Sequence, residues 1–144
     1  IEYSDKAFSY LKNNIAINNS KANAVFGDIF DEKIIFEMPF SDIIVSNPPY
    51  LTDNDMENLQ KEVQFEPEMA LRGGSDGLEF YKKIASLWKK KLKNNGYIVF
   101  EIGINQEEAV SGIFRENGFS DVKYYKDLSG IIRVVLAKIN LLEG

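Results

Sequence analysis

The chain has 144 residues, of which 44% are hydrophobic and 27% charged; this suffices for one domain with a core, and no apolar run is long enough to span a membrane. It has no cysteine and no histidine, which excludes disulfides, thiolate nucleophiles, Ser-His-Asp triads and zinc sites built on Cys or His. With 17 Lys+Arg against 22 Asp+Glu, the net charge of −5 argues against extensive duplex binding. Any chemistry therefore falls to amides, carboxylates, hydroxyls or the backbone, and no metal site is expected. A local basic patch, Lys89-Lys90-Lys91 with Lys93, is still present. The chain carries no signal peptide or tail motif, so a soluble, cytoplasmic protein is the default expectation.

Taken in chain order, Ile1-Glu2-Tyr3 reads as the end of a strand. Ser4 is an N-cap for a helix from Asp5 to about Asn18, with Ala7, Phe8, Leu11 and Ile15 on one face. Ala24-Val25-Phe26 reads as a short strand closed by Gly27-Asp28. Residues 41–46 carry the apolar run Ile43-Ile44-Val45, which predicts a buried parallel strand. Residues 51–76 are polar and mixed, with a turn at Gly73-Gly74. Leu78, Tyr81, Ile84, Ala85, Trp88 and Leu92 keep helical spacing and predict a helix over 77–94, stopped by Asn95-Gly96. Ser75 and Asp76 read as caps of that helix. Residues 97–102 predict a strand. Residues 106–117 predict a helix with Ala109, Val110, Ile113 and Phe114 inward. Residues 122–125 and 131–138 predict an antiparallel pair, with Asp127 organising the turn between them. Trp88 and the phenylalanines are assigned to the core. This alternation is that of an α/β protein with a mostly parallel sheet and an antiparallel strand near the C-terminus.

Asn47-Pro48-Pro49-Tyr50 follows the strand at 41–46, where open α/β sheets place their ligands. Two prolines lock the loop and leave the Pro48 carbonyl without a ladder partner. The Asn47 side-chain oxygen and that carbonyl form convergent acceptors suited to a planar NH2 group. An amide-like nitrogen delocalises its lone pair and attacks poorly. Two acceptors orient it, and they strengthen as charge develops on it during attack. Tyr50 offers a flat face to the substrate group or a nearby cation. The implied reaction is transfer of a carbon group from an activated donor, with S-adenosyl-L-methionine the leading candidate. The alternative for these four residues is a Pro-rich turn after a core strand.

Further blocks extend the pattern: Glu66-Pro67, Ala70-Leu71-Arg72-Gly73-Gly74, Asp76-Gly77-Leu78 with Tyr81, Glu101-Ile102-Gly103 with Gln106, and Lys126-Asp127-Leu128-Ser129-Gly130 with Arg133-Val134-Val135. Together these resemble the catalytic domain of the HemK family, the protein-(glutamine-N5) methyltransferases that act on peptide chain release factors. The resemblance covers nearly the whole chain, read as one catalytic domain over 1–144. It implies a Rossmann-like methyltransferase fold and catalytic residues Asn47, Pro48, Pro49 and Tyr50. It also implies S-adenosyl-L-methionine as cofactor, a release factor as partner, and methylation of the glutamine in a Gly-Gly-Gln loop. By the same resemblance Glu2 binds the ribose hydroxyls, Asp28 lies near the adenine, Ile29 packs on the adenine ring, and Asn47 borders the donor. The competing readings are a solvated terminal Glu2 and an Asp28 that caps a turn.

In the family a first strand and Gly-rich loop lie upstream of the position of Glu2, whereas this chain begins at Ile1. The expectation is an N-terminally truncated catalytic domain, with its sheet open where the first strand belongs and cofactor binding weak or absent. Residues 41–138 are expected to form the ordered unit and residues 1–30 to pack less securely or pair with another copy. Leu142-Glu143-Gly144 is set aside as a remnant. Two other functions share part of the pattern: a nucleic-acid amino methyltransferase acting on adenine or guanine, which the acidic charge weakens, and an inactive fragment that binds no cofactor.

Overall fold

Apolar alternation and β-branched residues build one four-stranded sheet from Ser41–Ser46 (β1), Leu92–Glu101 (β2), Phe119–Lys126 (β3) and Ile132–Ile139 (β4). The computed structural model describes residues 1–58 and 67–140. Glu66 and the segment Leu142-Glu143-Gly144 lie outside the described residues. The helices are Asp5–Ile17 (α1), Glu32–Glu37 (α2), Asp53–Glu57 (α3), Glu79–Trp88 (α4) and Glu107–Glu116 (α5). The chain divides into two compact units, Ile1–Pro39 and Phe40–Gly144.

Within the second unit the strand order is β1-β2-β4-β3. β1 runs parallel to β2, and β4 runs antiparallel to both β2 and β3. The sheet is thus mixed, with its antiparallel strand near the C-terminus. The parallel pair β1–β2 aligns Ser46 with Phe100, so both strands end at the same edge. α4 buries Tyr81, Ile84, Ala85 and Trp88, and α5 buries Val110, Ser111, Ile113 and Phe114. The rings of Tyr81, Phe100, Phe114 and Phe119 form a chain through the core, with centroid separations of 5.4, 5.0 and 5.4 Å. Such contacts contribute about 0.5–1.5 kcal/mol each beyond the area they bury. The one fully buried polar side chain described, Ser111, donates to the Glu107 carbonyl or shares a hydrogen with the Tyr124 hydroxyl, both at 2.8 Å.

In the first unit α1 starts after Ser4, whose hydroxyl accepts from the Ala7 N–H. Ala7, Phe8, Leu11 and Ile15 are its half-buried positions, as their spacing predicts. No α1 residue is fully buried. Residues 1–3 and 24–26 contribute one isolated parallel bridge, Glu2 with Phe26, in place of two strands.

The structure corrects several other expectations. β1 is parallel but not buried: Ile43 is 56% and Val45 71% exposed, because among the described residues its only neighbouring strand is β2. The helix expected over 77–94 ends at Trp88, passes through a 3-10 turn at Lys89–Lys91, and gives way to β2 at Leu92. Asn95-Gly96 does not stop a helix. It lies in an irregularity of β2, where Asn95 takes φ +64° between the paired residues Leu92 and Tyr97. Ala109 is exposed rather than inward, since the buried face of α5 runs through Val110 and Ser111. The core holds Phe100, Phe114 and Phe119, whereas Phe26, Phe36 and Phe40 are more than half exposed. Leu78 occupies the N-cap position of α4, and neither Ser75 nor Asp76 does.

Candidate active site

Because β1 and β2 are parallel and end in register, the segments that follow them emerge at one edge of the sheet. Asn47-Pro48-Pro49-Tyr50 leaves β1 there, and Ile102-Gly103-Ile104 leaves β2. Asn47 is exposed, Pro48 is buried, and Pro49 and Tyr50 are half-buried. The Asn47 carboxamide makes no hydrogen bond to a described residue, and no described backbone N–H reaches the Pro48 carbonyl. The first half of the loop therefore leaves the Asn47 carboxamide and the Pro48 carbonyl without a described hydrogen-bond partner.

The second half is held on three sides. Leu51 donates its N–H to the Leu71 carbonyl at 2.9 Å and accepts from the Gly73 N–H at 2.8 Å, a short parallel bridge. The Tyr50 carbonyl accepts from Gln106 Nε2 at 3.2 Å. The same Gln106 nitrogen reaches the Gly77 carbonyl at 3.5 Å. Two glycines are required by this packing. A Cβ on Gly73 would stand 2.7 Å from Tyr50 Cα, and one on Gly77 would stand 2.4 Å from the Tyr50 carbonyl oxygen. Gly77 also has φ +68°, a region that disfavours any side chain. The blocks Ala70-Leu71-Arg72-Gly73-Gly74, Asp76-Gly77-Leu78 and Glu101-Ile102-Gly103 thus meet around one loop.

Charged residues brace the surroundings. Arg72 donates to Asp53 at 2.8 Å and to Glu68 at 2.9 Å, and these partners, Asp53 foremost, push its pKa up. Thr52 caps α3 reciprocally with Asp55, and the Thr52 hydroxyl is the main cause of the lowered Asp55 pKa. Asp76 accepts from the Leu78 N–H in the turn before α4 and pairs with Lys82; the Lys82 ammonium is the main cause of its lowered pKa. Asp127 organises the β3–β4 turn, as expected: its Oδ1 accepts from the N–H groups of Ser129 at 2.8 Å and Ile131 at 3.0 Å. Its pKa is lowered, chiefly by the Ile131 N–H. Its other oxygen lies 3.5 Å from Arg133 Nε.

Tyr50, Leu51, Asp55, Gly103, Ile104, Gln106 and Arg133 line a cavity of about 320 Å3 beside the loop. Its lining thus includes an aromatic, an acidic and a basic residue: Tyr50, Asp55 and Arg133. Gln106, Tyr81 and Arg133 carry no role in the motif reading of the sequence. The signal that points to them is their place beside the blocks in α4, after β2 and in β4, which makes sense only once those blocks are seen to converge.

Of the residues expected at the donor side, Glu2, Asp28 and Ile29 belong to the first unit and Asn47 to the second. Glu2 forms both backbone bonds of the isolated bridge: its N–H donates to the Val25 carbonyl, and its carbonyl accepts from the Gly27 N–H, both at 2.9 Å. This brings the Glu2 and Asp28 segments side by side. Glu2 Oε1 accepts from the Ser4 N–H at 2.7 Å, and Asp28 Oδ1 accepts from the Phe30 N–H at 2.8 Å, so Asp28 does cap a turn. Each carboxylate keeps a second oxygen, and acceptors of this type fit the ribose hydroxyls and exocyclic amine of an adenosine group. Ile29 is half-buried. No group of acidic side chains among the described residues is arranged to hold a metal ion, and no described helix is long and apolar enough to cross a membrane.

No family model matches the chain. A release factor glutamine methyltransferase from Thermodesulfovibrio yellowstonii is 41% identical to it over 139 residues, a match covering 94% of this chain and 48% of that protein. The chain spans about half the length of the curated relatives it matches. Among solved structures, a methyltransferase from Pyrococcus furiosus superposes with a TM-score of 0.71 at 20% identity, over 96% of this chain and 60% of that one; this likeness carries the fold alone. A protein-(glutamine-N5) methyltransferase (release factor-specific) from Alicyclobacillus acidocaldarius gives a TM-score of 0.51 at 25% identity, covering 97% of this chain and 77% of that one.

Proposed function

Since the chain belongs to the HemK family of protein-(glutamine-N5) methyltransferases, we propose that it carries the acceptor site of a methyltransferase acting on the side-chain amide of a glutamine in a Gly-Gly-Gln loop of a peptide chain release factor. The observation that carries this reading is that Asn47 Oδ1 and the Pro48 carbonyl, at the carboxyl end of β1, have no described hydrogen-bond partner. A primary amide has two N–H bonds in one plane, and this pair accepts both.

When bound, S-adenosyl-L-methionine supplies an electrophilic methyl group. Glu2 and Asp28 are the residues proposed to hold its ribose and adenine, with Ile29 against the ring. Asn47 and Pro48 orient the acceptor nitrogen through its two N–H bonds and leave its lone pair free to attack the methyl group. As that nitrogen pyramidalises, its hydrogens become more acidic and the bonds to Asn47 and Pro48 strengthen, which lowers the barrier more than it stabilises the bound state. Pro49 keeps the loop from adjusting away from this arrangement. Tyr50 supplies a wall of the neighbouring cavity, where the backbone flanking the glutamine is proposed to lie.

The test is a methyl-transfer assay on the complete polypeptide that carries this chain, offering release factor, DNA and RNA in parallel. Mass spectrometry of the release factor should find the Gly-Gly-Gln peptide one methyl heavier, with nucleic acid unmodified. A short glutamine peptide should be a poor substrate, because remote binding energy positions the amide. Salt-sensitive methylation of nucleic acid with none on release factor selects the amino-methyltransferase alternative instead.

A further inference from the structure

Gln106 stands at the N-terminal end of α5, and its side-chain amide is bonded at both ends. Its Oε1 accepts from the Gly103 N–H at 3.0 Å and lies 3.1 Å from the Tyr81 hydroxyl, whose single hydrogen it shares with the Glu101 carbonyl at 3.2 Å. Its Nε2 donates toward the carbonyls of Tyr50 at 3.2 Å and Gly77 at 3.5 Å. The orientation of the amide is fixed by chemistry. Gly103 N–H can only donate, and the two carbonyls can only accept, so a flipped amide would face like groups at both ends. Tyr81 is fully buried, and that burial pushes its pKa up, so it stays a neutral hydroxyl able to donate.

The four partners come from four separate stretches of chain: the loop after β1, the turn before α4, α4 itself, and the turn after β2. A single side chain therefore ties the Tyr50 carbonyl to the rigid part of the fold. The Tyr50 carbonyl is two residues beyond Pro48. If it were released, the Tyr50–Leu51 peptide plane would be held only through the Leu51 N–H bond to Leu71, and the Pro48 carbonyl would be less firmly directed.

We infer that Gln106 is a positioning residue for the reaction proposed above: it fixes the Tyr50 carbonyl and thereby helps hold the Pro48 carbonyl toward the acceptor amide. The inference rests on the glutamine-methylation reading for its kinetic arm only. A glutamate at this position keeps both accepting bonds and sets a negative oxygen against two carbonyls. Once protonated, it can donate to the Tyr50 carbonyl again.

The test uses Gln106→Leu and Gln106→Glu. In the complete polypeptide each should lower kcat on the order of 10²-fold at neutral pH, the scale of a misplaced reacting group, with the KM for release factor little changed. Activity of Gln106→Glu should rise as pH falls and the carboxyl protonates, a dependence absent from Gln106→Leu. In the chain itself, hydrogen exchange of the Leu51 and Gly73 N–H groups should quicken in both variants while β2 and β4 amides stay protected. Unchanged kcat, a loss expressed in KM alone, or an undisturbed Leu51 amide overturns the inference. If Gln106→Leu does not fold, the isosteric Gln106→Glu decides by its pH profile and exchange pattern. If the wild type methylates no glutamine, the functional reading fails, and the exchange arm still judges the role of Gln106.

Discussion

Between Asn47 and Leu51 the chain passes from acceptors without a described partner to a Tyr50 carbonyl and a Leu51 backbone that are bonded. Asn47 and the Pro48 carbonyl take no described hydrogen-bond partner, while the Tyr50 carbonyl and both backbone groups of Leu51 are engaged at 2.8–3.2 Å. The difference shows how a four-residue motif can be both reactive and rigid. The groups that would meet a substrate are left unsatisfied, which folding alone does not favour. The neighbouring groups are held by Leu71, Gly73 and Gln106, so the open ones need no reorganisation when a ligand arrives.

The largest effect should come from the open half. Asn47→Ala removes one acceptor and should cost on the order of 10²–10³ in methyl-transfer rate. Its thermal midpoint should stay at that of the wild type, because the side chain is exposed and bonded to no described residue. Near-native activity would remove Asn47 from its assigned role.

Gly77→Ala probes the held half. It forces a Cβ into a backbone at φ +68° and to 2.4 Å from the Tyr50 carbonyl oxygen. The strain should destabilise the fold by about 1–3 kcal/mol, read from the denaturant midpoint, and the displaced carbonyl should slow transfer as well. A midpoint equal to wild type would show that the loop is not packed as described. Gly112→Ala is the contrasting change: it lies inside α5, and its new Cβ meets nothing within 4 Å. It should stabilise by about 0.5–1 kcal/mol and leave activity alone. Destabilisation there would mean that α5 carries a contact not seen in this structure.

The smallest effect belongs to Asp127, whose pKa is lowered by the Ile131 N–H and, to a lesser degree, by Ser129 and Arg133. A depressed folded pKa means that its contribution is complete above the ordinary aspartate value of about 3.9 and is lost as pH falls through the lower folded value. The Ser129 and Ile131 amide resonances should titrate with a midpoint below the ordinary value. A midpoint at or above it contradicts the turn geometry.

Much of the second unit was legible because its signals are local. Residues 41–46, 106–117 and 131–138 each lie within a residue or two of the element found, since their periodicity and flanking Asn or Gly residues agree. The helix over 77–94 ran too long because Trp88 to Leu92 is an i, i+4 step that fits both a helix face and the buried start of a strand. The exposure of Ile43 and Val45 was not legible, because an apolar run reports what a strand can bury and not how many neighbours it has. Asn47 and Pro48 were identifiable from their chemistry. Gln106 was not, because its role depends on four partners spread from Tyr50 to Gly103, a convergence that exists only in the folded chain.

The most direct measurement is a crystal structure of the complete polypeptide with S-adenosylhomocysteine and a Gly-Gly-Gln release-factor domain. The account predicts the glutamine amide nitrogen within hydrogen-bond distance of both Asn47 Oδ1 and the Pro48 carbonyl, with Gln106 still bonded to the Tyr50 carbonyl. A glutamine seated elsewhere, with Asn47 facing solvent or the Pro48 carbonyl turned away, would contradict it.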